Sequence, residues 1–130
     1  MRYLFYLSLF LIVSLKSLSQ ELVLKDRKLT FDNRPVGDSN TITITKEELL
    51  KIKELRTNYS WAKIESFTVF AGTLGSHCTS LVNCGSDTVC SDLKILFKSS
   101  SKNDFFCFDP IVTNRMGVRI PWQELCVKIK

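Results

Sequence analysis

The spacing of hydrophobic and polar positions changes several times along this chain, and each change marks an expected element. Leu4 to Leu15 is an almost unbroken apolar run behind a single basic residue, Arg2, and it ends at Lys16. Ser17-Leu18-Ser19 then places small residues where a signal peptidase reads. The expectation is a signal peptide over residues 1–19, cleaved before Gln20, followed by one domain over residues 20–130. The apolar run is too short for a comfortable membrane span, so no span is expected after cleavage.

Beyond Gln20 the pattern is mostly that of strands. Glu21 to Lys25 and Lys28 to Phe31 are short strand-like pieces, followed by a turn-rich stretch from Asp32 to Asn40 with Pro35 and Gly37. Thr41-Ile42-Thr43-Ile44 alternates with period two. Thr45-Lys46-Glu47-Glu48 then fits a capping box, with Thr45 as N-cap and Glu48 three residues on. The spacing predicts a helix from about Lys46 to Arg56, burying Leu49, Ile52 and Leu55, with Ile44 and Leu49 placed for a hydrophobic staple.

From Trp61 to Ala71 the period returns to two, with Ile64, Ser66, Thr68 and Phe70 on one face and Glu65, Phe67 and Val69 on the other. Its second half is apolar on both faces, which predicts a more central position in the sheet as it proceeds. Gly72 to Gly85 reads as loop with one short strand around Thr79 to Val82. Ser91 to Phe97 is ambiguous between strand and a helical turn capped by Ser91. Ser99 to Asp104 is a polar turn and Phe105 to Phe108 a buried strand that Pro110 ends or edges. Asn114 to Gly117 reads as a hairpin tip. In the terminal strand Leu125, Val127 and Ile129 share one face and Cys126, Lys128 and Lys130 the other, and an open sheet edge is expected near it. Many short strands with one helix predict a mainly β, sandwich-like domain with the helix packed on it.

Composition narrows the class. Without residues 1–19 the chain keeps 111 residues, enough for a single core. The formal charge of +5 includes Arg2 and Lys16, which leaves 16 basic against 13 acidic side chains, or +3. That balance, with the charges interspersed, does not imply nucleic acid. The five cysteines Cys78, Cys84, Cys90, Cys107 and Cys126 all lie in the part expected to be exported, where disulfides persist. All five are disulfide candidates. Two bridges and one odd thiol allow fifteen pairings, and spacing does not choose among them.

Candidate chemistry is sparse. His77 with Cys78, Cys84 and Cys90 has the donor types for zinc, but the six-residue intervals lack the close ligand pairs of structural zinc knuckles. A loop-stapling disulfide among Cys78, Cys84 and Cys90 fits better. His77 and Cys78 are adjacent and point apart on extended backbone, so the imidazole is badly placed to activate that thiol. There is no Gly-x-Ser-x-Gly, phosphate loop or His-Glu-x-x-His. Glu47 and Glu48 suit a helix's first turn. Phe105, Phe106 and Phe108 read as core rather than an aromatic platform, Trp61 and Trp122 border strands, and Asn58-Tyr59-Ser60 matches a glycosylation acceptor. No catalytic residue, metal or cofactor is expected.

From Ile44 onward the order of features resembles the C-terminal domain of the GldM/PorM family of gliding motility and type IX secretion. The resemblance rests on Thr45-Lys46-Glu47-Glu48-Leu49 leading to Lys63-Ile64-Glu65-Ser66-Phe67-Thr68-Val69. It continues through Phe106-Cys107-Phe108-Asp109-Pro110-Ile111, Gly117-Val118-Arg119-Ile120-Pro121 and the alternating Leu125 to Ile129. The cysteines and the chain's own signal peptide depart from that family. The resemblance implies an immunoglobulin-like β-sandwich, periplasmic or extracellular, that binds an envelope or secreted protein and carries no catalytic residues. The alternative expectation is a secreted, disulfide-stapled effector or inhibitor acting through the loop at residues 72–92.

Overall fold

A computed structural model describes residues 26–31, 40–73, 75 and 78–130. The expected signal peptide, the strand-like residues 21–25, the stretch 32–39, His77 and the Cys78 side chain lie outside what it describes. The described chain is mainly β, with two sheets and two helices. In chain order the elements are β1 (Leu29–Thr30), β2 (Thr41–Ile44), α1 (Lys46–Leu50), β3 (Arg56–Thr57), β4 (Lys63–Thr73), β5 (Cys78–Cys84), α2 (Ser91–Lys98), β6 (Asp104–Thr113), β7 (Arg119–Ile120) and β8 (Leu125–Ile129).

β1 and β3 form a two-stranded antiparallel sheet. The larger sheet has the order β2-β8-β6-β4-β5, with β7 also paired to β6. Among the described strands of this sheet, only β2 and β8 run parallel; the other pairs are antiparallel. The terminal strand β8 is therefore flanked on both sides, and among the described strands the edges fall on β2, beside β8, and on β5, so the edge expected near the C-terminal strand is not β8 itself.

The core lies on one face of this sheet. Phe67, Val69 and Ala71 of β4, Phe106, Phe108 and Val112 of β6, and Leu125, Val127 and Ile129 of β8 are all buried there. Phe97 of α2 packs its ring on this face, 5.1 Å from Phe106 and 6.3 Å from Phe108. Leu49 of α1, Leu93 of α2, Leu29 of β1 and Phe31 just after it join the same core. Each such side chain contributes about 1.5–3 kcal/mol by leaving water.

Several local expectations are met at the atomic level. Thr45 Oγ1 accepts from the Glu48 amide at 3.2 Å, and Glu48 Oε2 accepts from the Thr45 amide at 3.3 Å, closing the capping box. Ile44 and Leu49 are both buried, as a staple requires. From Phe67 to Gly72, β4 pairs with β5 on one side and β6 on the other, whereas its beginning pairs with β6 alone. Asn114 Oδ1 accepts from the Met116 and Val118 amides, and Gly117 takes φ +77° to turn the β6–β7 hairpin.

Other expectations are corrected. The helix stops at Leu50 instead of Arg56, because the Lys53 carbonyl receives the Val89 amide and the Leu55 amide donates to Asp87. Ile52 and Leu55 remain buried from an extended segment. A bulge between Ile64 and Ser66 sends Ile64 to the same buried side as Phe67, although strict alternation opposes them. Ser91 to Phe97 is helical, so the described residues include a second helix element beside the one expected. Its N-cap falls on Cys90 and not on Ser91, and no side chain caps it.

Pro110 does not end its strand, since β6 runs through it to Thr113. Cys107 and Cys126 face each other with Cα atoms 4.0 Å apart, which marks a non-hydrogen-bonded antiparallel pair. Counting by twos from Phe108, the missing Pro110 donor falls on the side of β6 occupied by β8 and β7. It falls between the last β8 register at Phe108 and the first β7 register at Val112, where no described ladder needs it.

Candidate functional site

The sheet's second face carries the residues between the core positions. Registers align Leu81 of β5, Phe70 of β4, Cys107 of β6, Cys126 of β8 and Thr41 of β2 into one row across all five strands. Phe105 and Lys128 flank it in the next row. Leu81 is 57% exposed, and Phe70, Phe105, Cys107 and Cys126 are half-buried. The row is thus apolar but reached by solvent. Beside it, Thr68 Oγ1 and Asn83 Oδ1 are hydrogen-bonded at 2.5 Å, so this part of the face is polar and tied across β4 and β5. A shallow groove of about 280 Å³ follows the row between Thr41, Phe105, the two bridged cysteines and Lys128.

The structure resolves the cysteine pairing. Cys107–Cys126 joins β6 and β8 across the outer face, and Cys84–Cys90 closes the loop between β5 and α2. The second bridge is a staple within the expected set, and it leaves Cys78 as the odd cysteine. The bridge also withdraws Cys84 and Cys90 from the zinc alternative, which requires their thiolates. Among the described residues, no group of three or more His, Cys, Asp or Glu could hold a metal. The expected loop at residues 72–92 holds more strand than expected, since β5 runs from Cys78 to Cys84 rather than only from about Thr79 to Val82. Between β5 and α2, Gly85 to Thr88 form an exposed loop.

The remaining singled-out residues have structural positions. Glu48 completes the capping box. Phe106 and Phe108 are core, while Phe105 lies half-buried on the outer face. Asn58 is occupied by the backbone: its Nδ2 donates to the Asp26 carbonyl and its Oδ1 accepts from the Lys28 amide, anchoring the entry to β1. Trp61 and Trp122 meet edge-on at 6.0 Å, with Tyr59 stacked on Trp61 and the Arg27 guanidinium 5.8 Å from the Trp122 ring.

Two features lay beyond sequence reasoning. Phe70 and Leu81 become neighbours only through the β4–β5 register. A groove of about 410 Å³ between α1 and α2 is lined by Leu50, Ile52, Lys53, Thr88, Lys94, Phe97 and Lys98. Its one sequence signal was the spacing of Lys94 and Lys98, which places them on one side of a helix. No described helix is long and apolar enough to cross a membrane. Comparison with protein-family models, curated proteins and solved structures finds no match to this chain.

Proposed function

We propose that this chain is an exported, non-enzymatic domain that binds another protein of the envelope or the extracellular space, as an accessory of gliding or type IX secretion machinery. The observation that carries the binding role is the half-open apolar row Leu81–Phe70–Cys107/Cys126. The larger sheet already has a complete core on its other face, so these residues are not needed there, and contiguous exposed apolar surface favours association. The two disulfides and the lack of a membrane-crossing described helix are consistent with export. The immunoglobulin-like part of the reading treats β1 and β3, with the two helices, as the layer opposite the larger sheet. The machinery assignment rests on the sequence resemblance.

The test is photo-cross-linking in the native host, with a photoreactive residue at Leu81 of the tagged full-length protein and mass identification of the adduct. Adducts with envelope or secretion components are the expected result, and Phe70→Glu should abolish them. Recovery of only the free, processed protein from the medium would overturn the reading. That outcome would favour the secreted effector or inhibitor. The Cys84–Cys90 staple supports this second reading, because it pre-orders Gly85 to Thr88 and lowers the entropy lost on docking.

A further inference from the structure

We propose that the groove between α1 and α2 is a second, independent docking site, and that its occupant is an acidic protein segment carrying apolar side chains. The groove exists because α1 is short. Thr45 and Glu48 start the helix firmly, but Lys53 and Leu55 are drawn into backbone pairing with Val89 and Asp87, so no further helical turn covers the flank of α2. Ile52 and Phe97 supply an apolar floor, and Leu50, 46% exposed, forms an apolar wall.

The rim is uniformly cationic. Lys53 stands on the α1 side, with Lys94 and Lys98 one helical turn apart on α2. The ion pairs among the described residues are Arg56–Glu54 and Lys63–Glu65, and neither uses a rim lysine. Lys98 gains from its place in the last turn of α2, where a cation complements the helix dipole. Lys94 has no such advantage, and its neighbour at i+4 repels it. Among the described residues, no carboxylate lines the groove. An occupant that brings carboxylates to the three lysines and apolar groups to Ile52, Leu50 and Phe97 satisfies both features at once. An amphipathic helix with anchors one turn apart has that pattern. Nucleic acid would leave the apolar floor unused.

The experiment uses the oxidised domain labelled with ¹⁵N and two synthetic amphipathic helices, one with Leu and Glu faces and the other with Lys replacing every Glu. Saturable amide shifts at Leu50 to Lys53, Thr88 and Lys94 to Lys98 with the acidic peptide are expected, weakening as salt is raised. Charge reversal in Lys94→Glu/Lys98→Glu should weaken binding about tenfold or more, since like charges then face the peptide. Both lysines are exposed, so the variant should fold; Lys94→Gln/Lys98→Gln, expected to fall between the two, provides the check. Phosphatidylglycerol vesicles test a membrane surface as the occupant. Absence of saturable binding, equal binding of the Lys peptide, shifts centred on Phe70 and Leu81, or binding to vesicles alone would each overturn the proposal. Shifts centred on Phe70 and Leu81 would support the outer row while overturning the groove, and absence of binding at the groove leaves cross-linking from Leu81 untouched, so the two readings fail separately.

Discussion

Removing the Cys107–Cys126 bridge as Cys107→Ala/Cys126→Ala should destabilise the domain without changing its folded structure. The two residues are already held opposite each other by the β6–β8 ladder, which pairs Phe106 with Val127 and Phe108 with Leu125 on either side. The native sheet therefore keeps its register when the bond is absent. The unfolded chain does not, because the bridge closes a loop of 19 residues by sequence separation. Loop-closure entropy for that length is worth about 3 kcal/mol. The cysteines are only half-buried, so replacing their sulfurs adds little cavity cost. Urea unfolding followed by circular dichroism is the assay. With a slope of about 1–3 kcal/mol per molar, the midpoint should fall by about 1–3 M, and the slope should rise because the released chain exposes more surface. A loss under about 1 kcal/mol with an unchanged slope would refute the argument, since it would mean the bridge does not constrain the unfolded ensemble.

Replacing Phe108, fully buried between Phe67 and Phe97, with alanine should cost about 3–5 kcal/mol in the same assay. Thr45→Ala opens the capping box and should cost about 1 kcal/mol, while Thr45→Ser should restore most of it. Gly117→Ala meets open space but forces φ +77° on an L-residue, so a loss of about 1 kcal/mol is expected, with hydrogen exchange accelerating first at Asn114 to Val118. Val127→Pro should prevent folding, because β8 is paired on both sides and Val127 is fully buried; a folded variant would contradict the strand order.

What could be read from the sequence was local, and what could not depended on distant partners. Thr45 and Glu48 are three residues apart, so one pattern contains the whole capping box. The helix end was misplaced because Ile52 and Leu55 keep helical spacing while the Lys53 and Leu55 backbone groups pair with residues 87–89, which no local pattern reveals. The bulge at Glu65 shows the same limit: alternation assumes regular pairing, and one extra residue reverses which face Ile64 shares. Cysteine spacing left fifteen pairings open, whereas the β6–β8 register places Cys107 opposite Cys126 directly. The outer row and the helix groove were hidden for that reason too, since Leu81, Phe70 and Cys107 come from three strands and the rim lysines from α2 and from the extended segment after α1.

The two bridges also bear on where this fold can work. Cys84–Cys90 spans only six residues, which gives it about 2 kcal/mol by the same entropy argument, beside about 3 for the longer loop. Together they approach the lower end of the total stability of a small domain, about 5–15 kcal/mol. Their local effects differ. Loss of Cys107–Cys126 leaves a paired ladder behind, whereas Cys90 is the N-cap of α2 and has no side-chain cap to hold it once the bridge is cut. Reduction should therefore release the start of α2 before it opens the sheet, loosening the helix that supplies Lys94, Phe97 and Lys98 to the groove. A reducing compartment would weaken the stability of this domain and the geometry of that surface together, which argues for the oxidising side of a membrane as its place of work.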